Sequence, residues 1–164
     1  MVVEVDWTFL KQDRHALWAD QLCLYAYLHP DRDWLLYVGK ADYSSIRRRL
    51  HGDHKAQLWR DLRREYGVDD VRAMHGELLT HTRRTSQLLS DVESLLIKRL
   101  QPFGNIQSTK SRISRPGMRV HCVGHWPFKR RRFHDVEQAS RRAARPYDAA
   151  DIAASTVDGR TRSL

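Results

Sequence analysis

Residues 22–40, LCLYAYLHPDRDWLLYVGK, decide the fold. Two short runs of aromatic and aliphatic residues, 22–28 and 34–38, flank the turn-forming HPDRD, the pattern of an antiparallel hairpin. Strand alternation sets Leu22, Leu24, Ala26 and Leu28 on one face and Cys23, Tyr25 and Tyr27 on the other. Gly39 ends the second strand. Beyond it, residues 45–51 predict a helix that Asp42 or Ser44 can cap. Gly52 interrupts this helix, and a second one runs to about Tyr66. Residues 71–79 predict a third strand after the turn at 67–70. Residues 87–100, QLLSDVESLLIKRL, are the clearest helix, stopped by Gln101-Pro102. Residues 117–126 predict a further strand. Residues 1–20 read as a lead-in, part strand and part helix, that docks on the core. From Phe133 some helix is expected, then a small, polar C-terminus after Pro146.

The chain has 164 residues, 41% of them hydrophobic and 30% charged, which suits one domain with a tail. No run approaches the ~18 apolar residues that a membrane span needs. The first residues carry Glu4 and Asp6 rather than a basic stretch before an apolar one, so no secretory signal is expected. Two cysteines, Cys23 and Cys122, cannot make a disulfide framework, and a reducing cytoplasm is the expected compartment. The net charge is +9, and its distribution matters. Residues 108–145 hold eleven Lys/Arg and two acids, while the rest of the chain has eighteen of each sign. Such a block attracts polyanions, nucleic acid first among them. A solvated tail that keeps the protein soluble is the plainer alternative.

Two charged residues sit where apolar ones belong. Glu93 shares a helical stripe with Leu89, Leu96 and Leu100. A carboxylate among leucines must be paired, protonated or metal-bound, or the helix must turn it to the rim. Arg49 follows Ile46 by three and borders the apolar edge of the first helix. A guanidinium there suits a phosphate oxygen, and it equally suits a snorkelling surface arginine.

In order, the chain shows Leu24-Tyr25, then Tyr37-Val38-Gly39-Lys40 twelve residues after Tyr25, then Arg49 in a helix. Glu93 follows in a later helix, and Pro102-Phe103-Gly104-Asn105 comes last. This succession resembles the GIY-YIG nuclease family over about residues 20–108. Members include the N-terminal domain of excinuclease C, homing endonucleases and restriction enzymes. The resemblance implies an α/β (α+β) fold: a small three-stranded antiparallel sheet flanked by helices, here with a basic C-terminal strand and tail. The implied organisation is a lead-in at 1–20, a nuclease core at 21–108, a basic extension at 109–134, and a flexible or partly helical tail at 135–164.

The resemblance also implies a function, divalent-metal-dependent hydrolysis of DNA phosphodiester bonds, with Mg²⁺ or Mn²⁺ as cofactor and DNA as partner. Carried over residue by residue, the site is Tyr25, Tyr37, Gly39, Lys40, Arg49, Glu93 and Asn105. Glu93 would hold the metal, which polarises the phosphate and assists the leaving group. Arg49 would neutralise charge in the transition state. Tyr25 would take the water's proton, with Lys40 holding its pKa down. Tyr37 would place the water or phosphate, Gly39 would let the backbone approach closely, and Asn105 would tie the site together. Cys23 and Leu24 stand where the family has Gly-Ile. Two extra residues around Tyr43-Ser44 leave Arg48 as a fallback for Arg49. The family's His or Tyr four residues after the arginine is Asp53 here, with His51 and His54 close by. His54 is the preferred stand-in.

Outside that core, His121-Cys122-x-x-His125 lacks a fourth zinc ligand, and alternation points His121 and Cys122 to opposite faces. Trp126 to Phe133 mixes aromatics with Lys129, Arg130, Arg131 and Arg132. It suits a DNA-backbone contact with rings for stacking, or a terminal strand whose aromatics cap the core. The rival to the enzyme is a catalytically inactive nucleic-acid-binding module of the same fold. A third reading is a protein whose basic tail docks an acidic partner. Monomer and dimer are both compatible with the sequence.

Overall fold

A computed structural model describes residues 1–11, 15–50, 52, 55–108 and 113–136 of the chain. The strands are β1 (Val2–Phe9), β2 (Cys23–Leu28), β3 (Leu35–Ala41), β4 (Arg72–Leu79), β5 (Arg119–Gly124) and β6 (Arg132–His134). The helices are α1 (Ile46–Leu50), α2 (Ala56–Tyr66) and α3 (Ser86–Leu100), with 3₁₀ turns at Ala16–Ala19 and Phe103–Ser108. Among the described residues no helix is long and apolar enough to cross a membrane.

The expected three-stranded antiparallel sheet is corrected by the strand order. All six strands form one mixed sheet, ordered β3-β2-β4-β1-β5-β6. β2, β3 and β4 pair antiparallel, as the hairpin predicts. The sheet then continues through β1, antiparallel to β4 and parallel to β5, and ends on β6. The N-terminal lead-in therefore does more than dock. Val3, Val5 and Trp7 alternate with Glu4, Asp6 and Thr8, and the three apolar residues are fully buried. A strand bonded on both sides has no free edge to expose, so β1 carries the sheet beyond the hairpin core. The helix expected from Phe133 is also corrected, because Arg132–His134 pair with Arg119–His121 as β6. The expected tail from 137 lies outside the described residues.

Period two then sorts the side chains. Leu24, Ala26, Leu28, Val38, Met74 and Leu78 join Val3, Val5 and Trp7 in one cluster under α3. Cys23, Tyr25, Tyr27, Ala41 and Ala73 face the other way, onto Trp18 and Ile46. Leu22, expected on the first face, lies before the strand at φ 51°, exposed to solvent. Both cysteines are free and buried, and desolvation pushes their thiols up to about 12. Caps fix the helix ends. Thr85 accepts from the Leu88 N–H at the start of α3. Ser45, not Asp42 or Ser44, accepts from Arg48 at the start of α1. Gly67 takes the left-handed φ of 61° that ends α2.

β3 is an edge strand, and its outward main chain is where the site begins. Val38 and Lys40, two residues apart, point the same way along that edge. Asn105 covers Val38 completely. Its Oδ1 accepts from the Val38 N–H at 2.8 Å, and its Nδ2 donates to the Val38 carbonyl at 2.8 Å. Asn105 is itself buried, so Asn105→Ala leaves two buried main-chain groups unpaired. The expected loss is about 2–4 kcal/mol of stability, read from a denaturant melt.

Candidate active site

Next along the same edge, the Lys40 backbone N–H lies near enough to the Glu93 carboxylate to favour its charged form. Glu93 projects from the flank of α3, whose neighbours Val92, Leu95 and Leu96 are buried in the core. The helix therefore turns its odd carboxylate to the rim rather than sealing it inside. Burial raises the Glu93 pKa, opposed by Lys40, Lys55 and Arg49. One half-buried carboxylate thus stands among three cations.

The tyrosines gather on the other face of the strand pair. Tyr25 lies opposite Gly39, and Tyr27 opposite Tyr37. Ring centroids are 5.9 Å apart for Tyr25–Tyr37, 5.3 Å for Tyr25–Tyr27 and 5.7 Å for Tyr27–Tyr37. Only glycine permits this packing. A Cβ on Gly39 would lie 2.5 Å from Tyr25 Cζ and 2.6 Å from Tyr37 Cε1. The close approach expected at Gly39 is therefore made by two rings of the chain itself. The Tyr25 and Tyr37 rings stack, and burial raises the pKa of both hydroxyls.

That overturns one expected role. Lys40 does not hold the Tyr25 pKa down. Its Nζ donates to Ser90 Oγ and lies 4.0 Å from Asp42 Oδ2. Asp42, nearly buried, also accepts from the Ser86 hydroxyl. Lys40 is thus fastened to the first turns of α3, beside Glu93. The cation that does act on Tyr25 is Arg49, and its effect is smaller than that of burial. Arg49, rather than Arg48, is the arginine that reaches the cluster. Its Nε is buried with no hydrogen-bond partner among the described residues.

Lys55 is the residue that the sequence reading missed. It precedes α2, is 5% exposed, and holds its Nζ 3.3 Å from the Tyr37 ring centroid and 5.9 Å from that of Tyr25. Its pKa falls to about 8, chiefly through desolvation and to a lesser degree through Arg49, with Glu93 opposing both. No local pattern marks it. A lysine before a charged helix reads as solvated, and only the fold brings it over the tyrosines. His54 and His51, the expected occupants of this corner, lie outside the described residues.

Comparison of the chain with protein-family models, with curated proteins and with solved structures finds no match. The site therefore rests on its own geometry. Tyr25, Tyr37, Gly39, Lys40, Arg49, Glu93 and Asn105 come together at the β3 edge from β2, β3, α1, α3 and the Phe103–Ser108 turn.

The basic string does not join them. It lies by β6, at the opposite edge of the sheet. Its rings belong to the core, which corrects the expected stacking role. Trp126 and Phe133 are each 2% exposed, and Trp126 packs 5.1 Å from Trp7. Arg131 donates to the carbonyls of Trp126 and Cys122, at 2.9 Å and 3.3 Å, and so fastens the turn. Lys129, Arg130 and Arg132 are exposed, with Arg130 over the Phe133 ring and Arg132 opposite His121 in register. His121 bonds Glu4 at 3.3 Å while Cys122 sits in the core, facing the other way.

Proposed function

We propose that this chain is a GIY-YIG-type endonuclease that hydrolyses DNA phosphodiester bonds with Mg²⁺ or Mn²⁺ held at Glu93. The observation that carries the reading is the convergence of a stacked tyrosine pair, three cations and one carboxylate, with the Arg49 Nε finding no hydrogen-bond partner among the described residues.

The donor set fits such an ion. Glu93 is a hard oxygen ligand whose raised pKa reports a buried charge that its cations do not fully offset. No group of three His, Cys, Asp or Glu side chains that could hold a metal gathers among the described residues. An ion on Glu93 would take the rest of its shell from water and phosphate, as Mg²⁺ commonly does. When bound, it supplies charge for the phosphoryl oxygens and for the leaving oxygen.

The chain's own residues supply the rest. Arg49 binds a phosphoryl oxygen and stabilises the charge that builds there. The Tyr25–Tyr37 pair orients the attacking water. Raised phenol pKa values make either tyrosine a poor acceptor of its proton. Lys55, neutral in good part near pH 8, takes that proton instead. Lys40 and Asn105 hold Glu93 and β3 in place.

Nicking of supercoiled plasmid with Mg²⁺ or Mn²⁺ tests the reading, wild type against Glu93→Ala. Cleavage by the wild type alone is the expected result. Equal cleavage by both overturns the site. DNA binding without cleavage by either moves the reading to an inactive binding module of this fold.

A further inference from the structure

A cleft of about 680 Å³ opens beside the tyrosines, and the catalytic reading leaves it unused. Its walls include Phe9, Leu10, Trp18 and Trp59, and its rim includes Lys11 and Asp70. The volume falls within the range of small-molecule sites, ~300–1,000 Å³.

Its position ties it to the site. The Trp59 ring is 5.4 Å from Tyr27, which stands 5.7 Å from Tyr37. Leu50, which also lines the cleft, directly follows Arg49. A group seated here is therefore two ring contacts from the proposed chemistry.

Its lining selects the ligand. The walls are aromatic and aliphatic, so the ligand has apolar faces. The rim is mixed in sign, which disfavours a phosphate. Of the other two charged residues at the rim, Asp69 pairs with Arg63 at 2.6 Å. Arg72 is taken up by Asp33 and the carbonyls of His29 and Arg32. Asp70 accepts from the Val71 N–H through Oδ1 at 2.7 Å, which leaves its Oδ2 as an acceptor, and Lys11 has no partner among the described residues and can donate to a polar edge. A flat group with apolar faces and a polar edge is a nucleobase, and rings of this kind bind bases by stacking.

We propose that this cleft receives an unpaired nucleobase next to the scissile phosphate. The proposal rests on the endonuclease reading and names its substrate class. A base within an intact duplex is stacked and paired and does not reach such a pocket without being flipped out. DNA with a bulge, flap or junction is therefore the preferred substrate over uninterrupted duplex.

The test uses the full chain without divalent ions, so that nothing is cut. The probe is a short duplex carrying 2-aminopurine in a one-nucleotide bulge, compared with the same duplex fully paired. The bulged duplex should bind about tenfold more tightly, within the range that stacking one base on an aromatic ring supplies. Its 2-aminopurine fluorescence should be quenched on binding. Trp59→Ala should remove both effects and Trp59→Phe should keep most of each. Equal affinity for the two duplexes with no quenching in the wild type overturns the proposal, without relying on any variant's folding. If plasmid nicking depends on Glu93 while the two duplexes bind alike, the cleft assignment falls and the nuclease reading stands. If the bulge preference and quenching appear but no DNA is cut, the base pocket stands and the nuclease reading falls.

Discussion

Glu93→Gln should lower Mg²⁺-dependent nicking by roughly a thousandfold or more, the scale on which loss of one preorganised charge-stabilising group acts. Glutamine keeps the shape beside the Lys40 N–H, so the variant removes charge and little else. DNA affinity measured without metal should hold or rise, since a negative group has left a cationic mouth. The melting temperature should change by only a few degrees. Burial already raises the Glu93 pKa, so losing the charge relieves desolvation, while Lys40, Lys55 and Arg49 lose their common counter-charge. These effects oppose each other in stability. In catalysis they act together, because the cations then repel one another as well as lacking an ion to share. A variant that still nicks at the wild-type rate would remove Glu93 from the chemistry. The pH dependence gives a second check. A carboxyl with a raised pKa protonates earlier as pH falls, so wild-type cleavage should drop off at a pH above the ordinary glutamate range.

The hairpin, α3 and its odd glutamate were legible because each is a local pattern. Alternation from Cys23 to Leu28 told the tyrosine face from the leucine face, and Glu93 announced itself by spacing alone. The size of the sheet was less legible. Val3, Val5 and Trp7 alternate as clearly as any strand, but nothing local says that β1 pairs with both β4 and β5. Strand order is a non-local property, decided here by which edge could bury a Val-Val-Trp face. Lys55 was illegible for the same reason. Its chemistry comes from its surroundings: two tyrosine rings, an arginine and a glutamate from four other elements. Lys40 shows the converse. Its motif marks it, but the neighbour expected for it differs, because Ser90 and Asp42 hold it on the α3 side of the strand.

Lys55→Met should change activity and stability in opposite directions, and that pairing separates a proton acceptor from a structural lysine. Removing a positioned general base lowers the rate by about 10²–10⁴-fold. In the wild type the nicking rate should climb with pH and level off above about 8, as the amine becomes neutral. In the variant that rise should be gone. Stability follows from the same shift. Lys55 has a folded pKa of about 8 against an unfolded value near 10.5, so the unfolded chain binds more protons between those limits. Wild-type stability therefore rises with pH across that window, and below pH 8 the full penalty of a buried ammonium is present. Methionine has a similar length and no charge, so at pH 7 the variant should be more stable, by about 2 kcal/mol after allowing for the lost attraction to Glu93. The gain should shrink as pH rises from 8 towards 10.5. Denaturant melts at pH 7 and pH 10 check it. A variant that keeps the wild-type rate and pH profile while gaining stability would show that Lys55 only packs over Tyr37. The proton acceptor would then have to be sought in the Tyr25–Tyr37 pair, where burial works against it.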